Sequence, residues 1–561
     1  IRLVSPSQGP VWLAQKLAEA LGEQTQAVHV LTFDVGGAFG CRLPLYPEHV
    51  LMAALARHIQ KPLAWVASRS ESMLSDTQAR DIAFQARMAL DRHGLIQALA
   101  IKAEANFGAY ASAYAAGCIA DGTCKTLGQA YQIPAFSFAS EGFFTAQTPV
   151  DAFRGAGKPE STLLIERLID KAARLLDLDP VELRRRNVIP ADALPKLSQT
   201  GFAMDKVDFA DLLDQANALA IRYGGRNLPA DHGSWLYGRG HALAIHFTGG
   251  AKFDQARIIA LPDGRFELVC GLMSSGQGHE TTFAQLAANE LGVDPAAIRI
   301  IEGDSHRTSL ASMTGGSNAM TVGAPAIMMA TNALLDLMRT RAAREFEAGE
   351  DDIRYVKESQ RFEVIGSDLA LPMGRLVQLM HDEYGQDQIG TGLHEACCGE
   401  GISAGDHVTM PTLALFCDVR LDLETGAAQL IASYGAYDVG RVLNRTIVEG
   451  QLHGAIFQGY SWALGETVHY DEGGQLLTGS LMDYPLARAD QAGPIHLVDG
   501  RSGQMMDGDH LAMKGVGELG TVAAPAALVN AIGAALGHHD WPLPACSETL
   551  LMAMKKRRDH G

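Results

Sequence analysis

The sequence predicts an α+β fold. Apolar residues recur at helical spacing in some stretches and alternate at strand spacing in others, and glycines gather at the corners between them. The 561 residues are 47% hydrophobic and 20% charged, enough to bury a large core without disulfide staples.

The first helix spans 10–21, with Leu13, Leu17 and Leu21 on one face, and Gly22 ends it. Val28, Val30 and Thr32 then alternate with His29, Leu31 and Phe33 as a strand that runs into Asp34-Val35-Gly36-Gly37-Ala38-Phe39-Gly40. A helix over 47–59, a strand over 62–68 and a long hairpin (82–91 and 95–105, turning at His93-Gly94) follow. The helical period returns over 159–187, where Asp179-Pro180 supplies a cap and first-turn pair for a second short helix. Residues 189–200, with two prolines, read as a connector. The domain boundary is therefore expected within 190–235, dividing the chain into 1–200 and 201–561, although length alone allows about three or four domains of the usual size.

Beyond the boundary come a hairpin over 255–261 and 266–271, a helix over 280–291 ended by Gly292, a strand over 297–302 and a helix over 324–347. Strands at 413–421 and 428–437 and a helix over 445–464 complete the series. No repeat of fixed period is visible, and the polar stretch 348–410 reads as an irregular, mobile excursion.

A formal charge of −18 argues against a sequence-independent grip on nucleic-acid phosphates or anionic lipid, and the short basic run Lys555–Arg558 reads as a solvated end. The eight cysteines (41, 118, 124, 270, 397, 398, 417 and 546) contain no CxxC and no zinc or iron–sulfur spacing, so free thiols and a cytosol-like compartment are expected. The adjacent pair Cys397-Cys398 reads as a bland loop, and His538-His539-Asp540 as a polar cap at a helix end, not a metal site. Asn444-Arg445-Thr446 fits a glycosylation sequon by letters only. The apolar stretch 522–537 is too short to span a bilayer. Ile1-Arg2-Leu3 opens directly into amphipathic sequence without a signal peptide, and the absence of an initial Met suggests processing, trimming or splitting from something longer.

Five glycine-rich loops carry the functional signal. Gly36-Gly37-Ala38-Phe39-Gly40 follows a strand, where paired glycines allow close backbone approach and expose amides; by itself it is a tight turn or a binding loop. Arg154-Gly155-Ala156-Gly157-Lys158-Pro159 places a guanidinium beside an anion-favouring helix start. Gly276-Gln277-Gly278 and Thr314-Gly315-Gly316-Ser317-Asn318 each precede a helix, so amides and hydroxyls can receive phosphate while Gln277 pairs with a heterocycle edge. The last loop, Lys514-Gly515-Val516-Gly517-Glu518-Leu519-Gly520, contains GxGxxG but lacks the preceding apolar strand of a dinucleotide fold, since 505–513 does not read as one. Glu518 stands out as a carboxylate among glycines, either a solvated loop residue or a functional acid.

In this order and over nearly the whole chain, the loops resemble the molybdenum-binding large subunit of the xanthine dehydrogenase and aldehyde oxidase family of molybdenum hydroxylases. Gly435–Asn444, Ile447–Gly454 and Leu477–Tyr484 extend the likeness. The resemblance implies two elongated mixed α/β cofactor-binding domains, the first (1–200) being the C-terminal portion of its family counterpart. It implies a molybdenum–molybdopterin, in the cytosine dinucleotide form usual in bacterial relatives, with the metal held by the pterin dithiolene and by no direct protein ligand. Gly37, Ala38, Phe39 and Gly40 would face the metal's oxygen ligands, with Arg154 and Ala156 as the opposite wall. Gly276, Gln277, Gly278, Thr314, Gly315, Gly316, Ser317 and Asn318 would cradle the pyrophosphate, and Lys514, Gly515, Val516 and Gly517 would also bind the cofactor as they lead into Glu518.

Glu518 matches the family's catalytic glutamate, a general base whose pKa desolvation should raise toward working pH. Electrons would leave through an iron–sulfur small subunit carrying [2Fe-2S] and a medium subunit carrying FAD. The family's N-terminal segment lies upstream of Ile1, so a further chain would supply it or the copy is truncated. Leu43 stands where purine-oxidising relatives carry a glutamate, and the region just before Tyr131 lacks the purine-binding arginine the resemblance would imply, which argues against xanthine as substrate. The expected function is hydroxylation of an aldehyde or N-heterocycle in the cytoplasm, or in the periplasm if a partner carries an export signal. The alternative is a non-catalytic scaffold of the same fold, motivated by the missing segment and by Asn318 where many relatives carry arginine.

Overall fold

The computed structural model describes residues 1–118, 122–128, 130–229, 233–249, 252–308, 310–384, 397–405, 408–500 and 512–559. The α+β expectation holds, and the chain divides spatially into two units, each discontinuous in sequence: Ile1–Ala64 with Gly249–His407, and Trp65–Thr248 with Val408–Gly561. This spatial division runs differently from the division at residue 200.

In the first unit, helix Pro10–Leu21 buries Leu13, Ala14, Leu17 and Ala18 against Val28 and Val30, and Gly22 ends it at φ 66°. Strand Arg2–Val4 pairs in parallel with His29–Leu31. A four-stranded sheet follows in the order Ile298–Ile301, Phe266–Cys270, Lys252–Ala260, Cys398–Gly405. Helix Ala324–Phe346 lies on the last of these strands. A Cβ at Gly399 would overlap the Ala330 carbonyl and one at Gly401 the Ala326 carbonyl, so glycine alone permits that approach.

The second unit carries a three-stranded sheet of Ile82–Leu90, Ile96–Asn106 and Ala135–Phe143. Its four-stranded sheet runs in the order Ile495–Asp499, Ala428–Asp438, Thr412–Asp422, Trp235–Ile245. Helix Leu519–Leu536 packs on Trp235–Ile245, where a Cβ at Gly238 or Gly240 would strike the backbone of Ala531 or Ala527.

The two four-stranded sheets share one plan. Each has a central antiparallel hairpin, a helix, a parallel outer strand and a long helix, in that chain order. The antiparallel outer strand with its glycine pair comes after the long helix in the first unit and before the hairpin in the second. Thr321-Val322-Gly323-Ala324-Pro325-Ala326 even recurs as Thr521-Val522-Ala523-Ala524-Pro525-Ala526. Unequal insertions hide this repeat from a fixed-period reading.

Other expectations need correction. Residues 62–68 form no strand; most of that stretch is exposed, with no neighbouring strand to pair with among the described residues. The 348–410 segment is not irregular throughout. Its described residues form an antiparallel sheet of Ile353–Val356, Arg361–Val364 and Ala370–Pro372, helix Met373–Tyr384 and strand Cys398–Gly405, while 385–396 and 406–407 lie outside the described residues. The 522–537 stretch belongs to an 18-residue helix that, with Ala319–Phe346, is long and apolar enough to cross a membrane; it is buried almost throughout as a core helix. His539 is no charged cap, because burial, with Arg174 and Arg167 nearby, pushes its ring down to about 3. Its ring packs against Gly533. Asn444 caps helix Arg445–Leu464, its Oδ1 accepting from the Ile447 amide at 3.1 Å, and all eight cysteines are free thiols. Most of 505–513 lies outside the described residues.

One buried charge cluster ties the second unit together. Arg184, fully buried on helix Pro180–Asn187, donates to Glu166 Oε2 at 2.8 Å and reaches Asp170 Oδ1 at 2.7 Å, both on helix Lys158–Leu175. It also donates to the His241 carbonyl on strand Trp235–Ile245. Asn530, on helix Leu519–Leu536, donates to the Glu166 and His241 carbonyls. Tyr131 completes the set with a 2.6 Å bond to Glu166 Oε1. Arg184→Met strands two buried carboxylates, so a loss of about 3–5 kcal/mol in folding stability is expected, read by denaturant unfolding of the second-unit core. A change under ~1 kcal/mol would contradict this role.

In the first unit, burial pushes Asp254 up to about 8, against the pull of the Gln255, Gly271 and Leu272 amides. Its unfolded carboxyl titrates near ~3.9. Between these values the fold holds a proton that the unfolded chain has released, so stability falls as pH rises. Asp254→Asn is expected to shrink the drop in Tm between about pH 5 and pH 8; an unchanged drop would count against it.

Candidate active site

Three glycine-rich loops meet in the first unit, laced by side chains. Gln8 Nε2 donates to the Thr314 carbonyl at 2.7 Å while its Oε1 accepts from the Gly40 amide at 2.9 Å. Thr314 Oγ1 and Gln277 Nε2 both donate to the Met273 carbonyl, at 2.8 and 3.1 Å. Gly36–Gly40, Gly276–Gly278 and Thr314–Asn318 are thereby held as one surface. Gln277 differs from expectation: its Oε1 accepts from the Ser275 amide at 2.5 Å, so the side chain turns back into its own loop and does not offer a free edge to a heterocycle. Asn318, fully buried, closes the other loop, its Oδ1 accepting from the Gly315 amide and its Nδ2 donating to the Met313 carbonyl, both at 3.1 Å.

This surface fits a large anionic group. Space above Gly36 and Gly276 is open, the Ser275 hydroxyl is buried without a partner, and the loops present amides at helix starts. Phe39 and Ser317 hold φ of 54° and 56°, and Ala156 in the second unit 45°, a left-handed conformation that non-glycine residues adopt at a cost and that clusters at functional sites. Leu43 is buried beside Gly315.

In the second unit, Gly157 (φ 86°) starts helix Lys158–Leu175; a Cβ there would overlap the Cys118 carbonyl. Glu518 occupies the N-cap position of helix Leu519–Leu536 yet makes no side-chain cap bond to it. Its carboxylate lies 3.7 Å from Lys158 Nζ and 3.1 Å from Nε2 of His246, the fully buried residue that follows strand Trp235–Ile245. Burial alone would raise this carboxyl. Lys158, the His246 hydrogen bond and the Gly155 amide outweigh it, holding Glu518 well below the usual carboxylate range, the reverse of the rise expected from the sequence.

Arg154 donates from Nε to the Gly517 carbonyl at 2.5 Å, from Nη2 to the Gln451 carbonyl and side-chain oxygen, and from Nη1 to the Gln458 side-chain oxygen, bracing the loop that ends in Glu518. Burial lowers its guanidinium to about 10, against the opposing pull of Glu518. Lys514 is directed elsewhere: its ammonium sits 3.4 Å from Asp205 and 3.6 Å from Asp438, a strut under the loop. Gly515, Val516 and Gly517 carry the chain from that strut to Glu518, with Val516 packed on the apolar core. When the TVGAPA and TVAAPA stretches are superposed in sequence, Asn318 stands in the place of Glu518.

Sequence reasoning missed Gln8 and His246. Neither carries a motif, though His246 immediately follows a strand, where side chains reach a sheet's end. Lys158 was visible inside the Arg154–Pro159 loop, but only the fold shows which carboxylate it meets.

The chain matches the molybdopterin cofactor-binding domain family twice, over residues 1–188 and 219–493. It is 29% identical to the nicotine 6-hydroxylase large subunit of Paenarthrobacter nicotinovorans, covering 99% of this chain and 70% of that one. It is 28% identical to the carbon monoxide dehydrogenase large chain of Hydrogenophaga pseudoflava, covering 86% and 62%. The crystal structure of quinoline 2-oxidoreductase from Pseudomonas putida 86 superposes with a TM-score of 0.88 at 26% identity, covering 99% of this chain and 72% of that one. With two cofactor-binding domains and this likeness along its whole length, the chain belongs to the molybdopterin-binding large subunits of the xanthine dehydrogenase and aldehyde oxidase family.

Proposed function

We propose that this chain is the catalytic subunit of a molybdenum hydroxylase that inserts water-derived oxygen at an electrophilic carbon of an aldehyde or N-heterocycle. The observation that carries the reading is Glu518: a carboxylate buried, kept ionised and turned away from the helix it could cap. Burying an ion is costly, and a scaffold gains nothing from it. Relatives named for nicotine and quinoline chemistry favour an N-heterocycle, and Leu43 in place of an acid favours a substrate other than a purine.

When bound, a molybdenum–molybdopterin group, in the cytosine dinucleotide form on this reading, supplies the two-electron oxidation. In the first unit, the amides of Gly276–Gly278 and Thr314–Asn318 would hold its phosphates and Gly37–Gly40 would border it. Converting C–H and water to C–OH releases two electrons and two protons. Glu518 accepts one proton at its carboxylate as the oxygen is transferred, and Arg154 keeps the Gly517 carbonyl, and so the base, in place. The electrons pass to an iron–sulfur subunit and an FAD subunit.

In the assembled complex, Glu518→Gln is expected to keep molybdenum near one atom per chain by elemental analysis while kcat falls by about 10²–10⁴-fold. Unchanged turnover in the variant, or an intact iron-containing complex without molybdenum, would overturn the proposal.

A further inference from the structure

We propose that Lys158 is a positioning residue for Glu518, retained to keep that carboxylate ionised and aimed, so that the base works at acidic as well as neutral pH. This rests on the reading of Glu518 as the base. Three observations carry it. Lys158 is the first residue of helix Lys158–Leu175, where a cation opposes the helix dipole and costs stability, so it does not serve its own helix. Its ammonium is 3.7 Å from Glu518 and 3.2 Å from the Gly155 carbonyl it donates to, which fixes the long side chain across the loop. Both side chains are only 13% exposed, so water screens the pair little.

The groups facing this pair come from several elements. His246 bonds the same carboxylate from the end of its strand, and Arg154 acts on it from the preceding loop. Cys118, whose thiol burial and Asp151 push up to about 12, stays neutral beside Lys158 and Glu518. Glu160, two residues along the helix, is occupied by Arg80 at 3.1 Å. With Arg80 engaged by Glu160, and Arg154 by Gly517 and Gln451, Lys158 is the ammonium directed at Glu518. A neutral side chain at 158 therefore leaves a buried carboxylate with His246 and the Gly155 amide but without the ammonium, the largest of the influences that favour its ionised form.

The test compares wild type, Lys158→Met, Lys158→Gln and Lys158→Arg in the purified complex. Infrared difference spectra against Glu518→Gln isolate the protonated-carboxyl band of Glu518 between pH 3 and 8, and quinoline turnover gives the pH profile of kcat/KM. The neutral variants are expected to raise the Glu518 midpoint by about 1–3 pH units and to move the acid limb of kcat/KM by the same amount. Lys158→Arg should restore both, while KM at neutral pH changes less than kcat/KM at acid pH. An unshifted carboxyl band in both neutral variants overturns the inference. A shifted band in variants whose turnover, like that of Glu518→Gln, stays at the wild-type level leaves Lys158 as the positioning partner and overturns Glu518 as the base, so the two failures are distinguishable. The infrared band reads Glu518 even where quinoline is not turned over.

Discussion

Everything at the Glu518 site depends on how one buried guanidinium is satisfied. Arg184 and Asn530 join helix Lys158–Leu175, strand Trp235–Ile245 and helix Leu519–Leu536 part-way along their lengths. Lys158, His246 and Glu518 sit at one end of those same three elements. Because the elements are rigid, locking their middles locks their ends, and the 3–4 Å spacings around Glu518 follow. Two buried carboxylates share one arginine, an arrangement that is costly unless every partner is present, and Tyr131, Asn530 and the backbone carbonyls complete it. The glycines at 238 and 240 serve the same end by letting the 519–536 helix seat directly on the strand.

The two four-stranded sheets show how one plan is turned to two uses. In the first unit the loop before the long helix is neutral: Asn318 folds its amide onto the Gly315 and Met313 backbone. In the second unit the corresponding place holds Glu518, and cations gather around it. A single change of side-chain charge at a helix start separates the two loops, with a neutral amide in one and an ionised carboxylate beside an ammonium in the other.

Much of this was legible in the sequence, and what was not has identifiable causes. Helices 10–21, 47–59 and 445–464 coincide with their periodic residues and their stops, because Gly22, Pro47 and Asn444 act locally. The strand expected over 62–68 failed because β-forming residues need a neighbouring strand, which sequence pattern does not supply. The sheet within 348–384 was missed because its strands are only three or four residues long, too short to display a strand alternation. Glycine loops marked the candidate site, but their partners did not show: Gln8 lies 306 residues from Thr314, and His246 lies 272 from Glu518. The direction of the Glu518 pKa was misjudged for the same reason, since burial was foreseeable and the ammonium opposite it was not.

The most direct measurement is anomalous diffraction at the molybdenum edge from crystals of the assembled complex. A base at Glu518 requires one strong molybdenum peak beside the Glu518 carboxylate and the Gly155–Gly157 loop, with Lys158 still facing that carboxylate. A peak distant from Glu518, or a well-ordered cofactor whose metal end is directed at another acid, would contradict it.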